Sequence, residues 1–144
     1  LRETIWALKK DNYTAEECLL RIRNFIQPFT RYYPQIQFNL EGNASAEKIL
    51  NYSKALNLVR IVQEAVTNSL KHANPTKIDI VSVTTEDSWQ LIITDNGKGF
   101  DPQSLKETEQ GNGLGNMKQR ALDAGFNLEI GSGKRTGTSI VVKI

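Results

Sequence analysis

The stretch from Arg60 to Ala73 reads RIVQEAVTNSLKHA and decides the fold. On a helix it places Glu64, Asn68 and Lys71 in one narrow stripe, because side chains three or four residues apart share a face. The apolar residues that can pack on a sheet lie roughly opposite. They are Leu58, Val62, Ala65 and Ala73, with Ile61 and His72 at the boundary. The stretch therefore predicts a helix that lies between a sheet and a polar cleft.

Two glycine-rich segments follow this helix. DNGKG at residues 95–99 comes directly after a strand-like run, and GNGLG at residues 111–115 opens a helical pattern. Glycine permits backbone angles and close approaches that a side chain would block. Asp95 in isolation would indicate an ordinary Asp-Asn-Gly turn. Its combination with the second glycine segment and the upstream helix favours a ligand site instead.

Composition excludes several classes of protein. The 144 residues are 39% hydrophobic and 24% charged, which is typical of one soluble globular domain with a substantial core. The net charge of +2 is small and the basic residues are dispersed, so nucleic acid is not an expected partner. No run approaches the roughly 20 apolar residues of a membrane span, and the N-terminus does not resemble a signal peptide.

The chain has a single cysteine, Cys18, which cannot form an internal disulfide. It lies among apolar residues of a helical pattern, which predicts a small core residue and favours a reducing compartment. The chain begins with Leu1 rather than Met. We therefore expect it to be a piece of a larger protein.

The first third of the sequence predicts two helical segments. Residues 1–10 are expected to end a helix that enters the domain. Thr14 and Glu17 have the spacing of a capping box for the next helix, which should end near Pro28. Its expected buried stripe is Leu19, Leu20, Ile22, Phe25 and Ile26.

A strand and the long helix come next. Residues 36–40 alternate like a half-buried strand, and residues 41–43 should close it with a turn. Ser53 is the expected cap of the long helix. That helix should end near Ala73, because Asn74–Pro75 stops it.

The remaining sequence predicts two hairpins that flank a loop and a helix. Strands over residues 77–84 and 89–94 form the first hairpin, and residues 126–130 and 138–144 form the second. The first hairpin delivers Asp95 to the end of the sheet.

Between the hairpins, a polar loop should leave Asp95 and run through Gln110. Residues 114–124 have helical spacing, with Gly125 as the stop. The N-terminus of this helix could hold phosphate through its free amides.

Neither of the standard nucleotide motifs is present. Gly113-Leu-Gly115 follows a polar loop, whereas a dinucleotide fingerprint follows a strand directly. Residues 131–136 resemble a P-loop, but Leu128 stands where its first glycine is required, and too few residues follow for a helix.

Residues 63–73, DNGKG and GNGLG together resemble the ATP-binding domain shared by DNA gyrase, the heat-shock ATPase chaperones, mismatch-repair ATPases and histidine kinases. The sequence of residues 63–73 is most similar to that of the catalytic domain of two-component sensor histidine kinases of the nitrate-sensor and thermosensor type. The resemblance covers nearly the whole chain, with residues 1–10 as a linker helix and residues 11–144 as the catalytic domain. It implies an α/β (α+β) two-layer sandwich of the Bergerat type, a mixed β-sheet with helices packed on one face.

The resemblance also implies a role for each residue of the helical stripe. Glu64 would be the catalytic residue that polarises the attacking group. Asn68 would give Mg²⁺ one neutral oxygen ligand, while phosphates and waters complete the shell. Lys71 would contact phosphate, assisted by His72. Outside this combination each would be an ordinary solvated or structural residue.

The nucleotide contacts implied by the resemblance centre on Asp95. Its carboxylate would accept a hydrogen bond from the exocyclic amine of adenine, where guanine presents a carbonyl oxygen. Thr138 would join this contact through its hydroxyl and a water. The implied glycine-segment contacts are Gly97, Gly99, Gly111, Gly113, Leu114 and Gly115. Residues 100–110 resemble a short ATP lid.

A domain of this kind binds ATP and Mg²⁺ and transfers the γ-phosphoryl to a histidine. The only histidine here, His72, lies inside the ATP-site helix. The acceptor is therefore expected on an upstream helical domain. A response regulator is the expected partner through that domain. The parent is expected to be a homodimer and the domain cytoplasmic, also where the parent is anchored in the inner membrane.

Two other functions stay open at this point. An ATPase, or a serine kinase acting on an anti-sigma-type partner, could use the same pocket, although the linker-like residues 1–8 favour the sensor kinase. A non-catalytic, nucleotide-gated docking module is the second alternative. The presence of Glu64 beside Asn68 argues against it.

Overall fold

The computed structural model of the chain describes residues 11–45, 47–98, 109–133 and 137–144. The strands are β1 (Asn12–Thr14), β2 (Gln37–Gly42), β3 (Ile49–Asn51), β4 (Lys77–Thr84), β5 (Trp89–Asp95), β6 (Asn127–Gly133) and β7 (Gly137–Lys143). The helices are α1 (Ala15–Tyr32), α2 (Tyr52–Asn68) and α3 (Glu109–Ala124), and a π-helical turn, Ser69–Ala73, continues α2. The predicted linker helix and most of the predicted lid lie outside the described residues. None of the described helices is long and apolar enough to cross a membrane.

The main sheet has five strands in the order β2-β4-β5-β7-β6. β2 and β4 are parallel, and the other neighbours are antiparallel. Both predicted hairpins are therefore confirmed. β1 and β3 form a separate two-stranded antiparallel sheet. The sequence analysis missed it, because strands of three residues are too short to show a period-two pattern.

Helices and sheet share one hydrophobic core. Trp89, Leu91, Ile93 and Asp95 alternate along β5 as buried residues, and the residues between them are half-buried. β4 and β7 repeat this alternation over most of their length. The buried faces of the strands and of all three helices belong to one cluster. The predicted two-layer α/β sandwich with a mixed sheet is confirmed.

α1 begins as predicted and ends later than predicted. Thr14 Oγ1 accepts the backbone N–H of Glu17 at 3.1 Å, and Glu17 Oε1 accepts that of Thr14 at 3.0 Å, which confirms the capping box. The helix continues through Pro28, so its predicted end there is wrong. Phe29 packs edge-on against Phe25, with ring centroids 5.1 Å apart, and this contact stabilises the last turn.

The buried stripe of α1 differs from the predicted one. It consists of Ala15, Cys18, Ile22, Phe25 and Ile26. Leu20 is 52% exposed, so its predicted place in the stripe is wrong, and Leu19 is half-buried. The stripe is set by the 3.6-residue repeat that begins at Ala15, and Leu20 falls outside it.

Two boundaries before α2 also differ from the prediction. The predicted cap Ser53 is wrong, because Asn51 Oδ1 accepts the backbone N–H of Lys54 at 2.9 Å. Pairing with β1 keeps β3 extended up to Asn51, so the helix begins directly after it. Upstream, β2 runs through Gly42, where a turn was predicted. Gly42 has a φ of +106°, and a Cβ there would lie 2.0 Å from Ser82 O.

Cys18 is free and buried, as predicted. Burial raises the pKa of its thiol from 9.0 to about 12, with Glu17 adding to the rise and Arg21 opposing it. Because the thiolate is the reactive form, we expect native Cys18 at pH 8 to react with thiol reagents roughly 10³-fold more slowly than in the unfolded chain. The absorbance change of a thiol reagent, followed without and with denaturant, measures the reaction rates of the native and the unfolded chain.

The same pKa also predicts how stability depends on pH. Between pH 9 and about 12 the unfolded chain loses the Cys18 proton and the native chain keeps it, so the free energy of unfolding should fall across that window. A Cys18→Ala variant, which lacks the thiol, serves as the control for this pH dependence.

Equal rates of thiol reaction in the native and the unfolded chain would contradict the burial of Cys18.

Candidate functional site

The two faces of α2 divide as predicted. Leu58, Val62 and Ala65 are buried in the core, and Ile61, expected at the boundary, is buried with them. Glu64 and Asn68, one helical turn apart, are half-buried. Two oxygen-bearing side chains therefore lie together beside the buried face of the helix.

Gly113 of α3 lies against this pair. A Cβ on Gly113 would be 3.6 Å from Asn68 Oδ1 and 3.8 Å from Glu64 Oε2. The neighbouring Leu114 is buried in the core and holds this part of α3 in place. The GNGLG segment and the polar stripe of α2 thus meet, as a shared ligand site requires.

α3 begins at Glu109, so its predicted start at Leu114 is wrong. Gly111 and Gly113 lie inside the first turns of the helix rather than in a loop ahead of it. Each glycine disfavours a helix by about 1 kcal/mol relative to alanine, which is why the sequence indicated a later start. Burial of Leu114 and Met117 in the core outweighs this cost.

Asp95 is the last residue of β5, and three donors hold its carboxylate. Oδ1 accepts the backbone N–H groups of Gly97 at 2.8 Å and of Thr138 at 3.3 Å. Oδ2 accepts the hydroxyl of Ser69 at 2.5 Å. A carboxylate offers about four acceptor positions, so one position remains for a ligand.

Thr138 is placed beside Asp95 by the register of the sheet. β5 and β7 pair these two residues directly. The Thr138 hydroxyl lies 3.3 Å from Ser132 Oγ. Gly137 precedes it with a φ of +80°, and a Cβ there would lie 1.9 Å from Asp95 O. Two of the residues predicted for adenine contact, Asp95 and Thr138, are therefore adjacent.

Gly97 has no room for a side chain. A Cβ there would lie 2.3 Å from Ala73 O and 2.6 Å from Ala73 Cβ. The backbone N–H of Lys98 donates to the same Ala73 carbonyl at 2.9 Å. The DNGKG segment is thereby fixed to the end of the long helix.

The π-helical turn Ser69–Ala73 connects α2 to this segment. It directs Ser69 to Asp95 and the Ala73 carbonyl to Lys98, and it ends at Asn74, which has a φ of +49°. Such turns occur frequently at functional sites. Ser69 was not among the predicted site residues. Its position four residues after the buried Ala65, on the sheet side of the helix, is the feature of the sequence that could have indicated it.

The remaining predicted residues are less well supported. Lys71 is exposed and forms no hydrogen bond or ion pair within the described residues, and His72 on the same turn is half-buried. Gly115 is exposed, and a Cβ there would meet no atom within 4 Å, so no close approach requires a glycine. Gly99 lies outside the described residues.

Gly97→Ala should destabilise the domain. The new Cβ would overlap the Ala73 carbonyl, so the expected loss in free energy of unfolding is on the order of 1–3 kcal/mol. Thermal and denaturant unfolding measure it. Gly131→Ala is the matched control, because a Cβ at Gly131 meets no atom within 4 Å. Equal stability of the two variants would contradict the close approach at Gly97.

Comparison with known proteins shows which family and which sensor proteins the chain resembles. The model of the histidine kinase-, DNA gyrase B- and HSP90-like ATPases matches residues 53–144. Sensor protein VraS of Staphylococcus epidermidis is 45% identical over 86 residues, which are 60% of this chain and 24% of that protein. The Staphylococcus aureus protein of the same name is 44% identical over 86 residues. The chain spans about a quarter of the length of these relatives.

Solved structures share the fold. The histidine kinase domain of the Erythrobacter litoralis EL346 blue-light activated histidine kinase superposes with a TM-score of 0.73 at 17% identity, over 99% of this chain and 67% of that one. The mycobacterial sensor histidine kinase MprB gives 0.72 at 20% identity, over 94% and 97%. Because the family model matches more than half of the sequence, the chain belongs to the histidine kinase-, DNA gyrase B- and HSP90-like ATPase family.

Proposed function

We propose that this chain is the catalytic domain of a sensor histidine kinase, which binds Mg-ATP and transfers the γ-phosphoryl to a histidine of its parent protein. Its relatives with 45% and 44% identity are sensor proteins. The observation that carries the proposal is the meeting of Glu64 and Asn68 with Gly113, beside a buried Asp95 that keeps one acceptor position free.

Asp95 would recognise the adenine base. Asp95 is 6% exposed, so a bond from the exocyclic amine would form in a nearly dry environment, where hydrogen bonds are stronger. The carbonyl oxygen of guanine would face the carboxylate at the same place. The Thr138 hydroxyl would complete the base contact through a water.

Asn68 would hold Mg²⁺ through Oδ1. A hard cation that keeps several waters suits a single neutral oxygen ligand beside phosphate oxygens. Within the described part of the chain, no three His, Cys, Asp or Glu side chains converge, so phosphate oxygens and waters would supply the remaining ligands. When bound, Mg²⁺ neutralises charge on the transferring phosphoryl group.

Glu64 would act on the acceptor. Its carboxylate lies one turn from Asn68 and faces the same glycine backbone. It can accept a hydrogen bond from one N–H of the incoming imidazole, which leaves the other ring nitrogen a better nucleophile. Lys71 and His72, on the next turn, are the proposed phosphate contacts.

The acceptor histidine would lie in the parent protein, outside this chain. The one histidine of this chain, His72, is part of the π turn beside the proposed phosphate site. The proposal therefore places the acceptor on a helical phosphoacceptor domain of a homodimeric parent, with a response regulator as the downstream partner and the cytoplasm as the location.

Two measurements test the function. Calorimetry with Mg-ATP and Mg-GTP should give at least about 10-fold tighter binding of ATP. Labelled ATP should produce acid-labile phosphohistidine on the parent's separately expressed phosphoacceptor domain, and none on the lone chain. Acid-stable phosphoserine on a partner would favour the serine-kinase alternative. Stable phosphorylation of His72 would overturn the proposal.

A further inference from the structure

Buried polar side chains lie in more than one part of this fold. Among the described residues they are Ser69, Ser82, Thr84, Asp95 and Thr138. Ser82 is satisfied by Asn43 and Trp89 in a separate structural cluster. Ser69 instead donates its hydroxyl to the carboxylate of Asp95, which also accepts the backbone N–H of Thr138. Because burying polar groups is costly without partners, this arrangement needs an explanation.

The hydrogen bonds identify which oxygen of Asp95 can receive a ligand. Oδ1 already accepts two backbone N–H groups, from Gly97 and Thr138. Oδ2 accepts only the Ser69 hydroxyl. With about two acceptor positions per oxygen, the open position belongs to Oδ2. A ligand donor would therefore bind the same oxygen that Ser69 holds.

The Ser69 hydroxyl also determines the polarity at this position. Its 2.5 Å distance to Oδ2 falls in the range of a charge-assisted O–H···O⁻ bond. A hydroxyl has one proton, and this one is committed to Asp95. Ser69 Oγ and Asp95 Oδ2 can then only accept hydrogen bonds from a ligand. Such a pair favours an amine and repels a carbonyl oxygen.

We infer that Ser69 is a positioning residue for base recognition, which fixes the Asp95 carboxylate with Oδ2 open to the exocyclic amine of adenine. The inference rests on the proposed role of Asp95 in binding adenine. Without the hydroxyl, Oδ2 loses its only anchor, and the carboxylate can turn away from the amine. Ser69 would thus act on ATP through Asp95.

Isothermal titration of the full chain with two probes tests this role. The probes are Mg-ATP and the Mg-triphosphate of purine riboside, which lacks the exocyclic amine. Ser69→Ala should weaken ATP binding on the order of 10-fold and leave the purine nucleotide nearly unaffected. Ser69→Thr, which keeps a hydroxyl, should restore ATP binding. A merely structural role of Ser69 would weaken both nucleotides equally, and that result would overturn the inference.

Two control variants separate this inference from the proposed function. Thr67→Val removes a nearby hydroxyl whose bond is to Gln63 O within α2, and both affinities should stay unchanged. Asp95→Asn should abolish the preference for ATP over the purine nucleotide. If Asp95→Asn abolishes the preference and Ser69→Ala leaves it unchanged, the inference about Ser69 fails alone. If neither variant changes it, the adenine assignment of Asp95 fails as well.

Discussion

Glu64→Gln is expected to lower phosphoryl transfer by roughly 10²-fold or more while ATP affinity stays nearly unchanged. The amide keeps the size of the side chain beside Gly113, so nucleotide binding should persist. It loses the negative charge that is proposed to polarise the acceptor imidazole. Single-turnover transfer to the phosphoacceptor domain and calorimetry with Mg-ATP measure the two quantities separately.

Glu129→Gln is the matched control for this experiment. Glu129 lies on the edge strand β6, where it forms an exposed ion pair of 2.7 Å with Lys143. The same chemical change there should leave transfer and binding unaltered, because exposed ion pairs contribute little. If Glu64→Gln transfers phosphate at the unmutated rate, Glu64 is not the catalytic residue.

Asp95→Asn is expected to weaken ATP binding by on the order of 1.5–3 kcal/mol. The amide has one acceptor oxygen in place of two, while the donors of Gly97, Thr138 and Ser69 remain. The backbone N–H groups of Gly97 and Thr138 keep the amide oxygen at the Oδ1 position. The amide nitrogen then replaces Oδ2, where it can donate to Ser69 Oγ but presents a donor to the adenine amine. Calorimetry with ATP and GTP measures the loss and shows whether it is specific to adenine.

Asp79→Asn is a suitable control for Asp95→Asn. Asp79 lies on the neighbouring strand β4, where it accepts a hydrogen bond from Asn39 Nδ2 at 2.7 Å. It is half-buried among polar residues, away from the helical layer. Its substitution should leave nucleotide affinity unaltered. An unchanged ATP affinity in Asp95→Asn would contradict the adenine assignment.

Local sequence patterns correctly predicted α2, the end of β5 and the start of α1. The 3.6-residue repeat in residues 58–73 gave α2 and its polar stripe, and the alternation in β5 placed Asp95 at the end of a buried strand. The spacing of Thr14 and Glu17 gave the start of α1. In each case the signal lies within one helix or strand.

Tertiary contacts determined what the patterns missed. Aromatic packing of Phe29 keeps α1 helical past Pro28, and core burial of Leu114 keeps α3 helical across its glycines. Ser69 has no motif of its own, because its role exists only where the π turn meets Asp95. The boundary between residues 1–10 and 11–144 stays a prediction, as do the roles of Glu64, Asn68 and Lys71 in chemistry.

The position of β7 has a consequence for the order of events during synthesis. β7 is the last strand in sequence, yet it lies between β5 and β6 in the sheet and pairs Thr138 with Asp95. The nascent chain can form α2 early, but the end of β5 that is proposed to bind the base lacks its neighbour until β7 has been synthesised. Because such pairing joins distant residues, its closure should be a late and slow folding step. A nascent domain would thus acquire nucleotide affinity only after β7 has paired with β5.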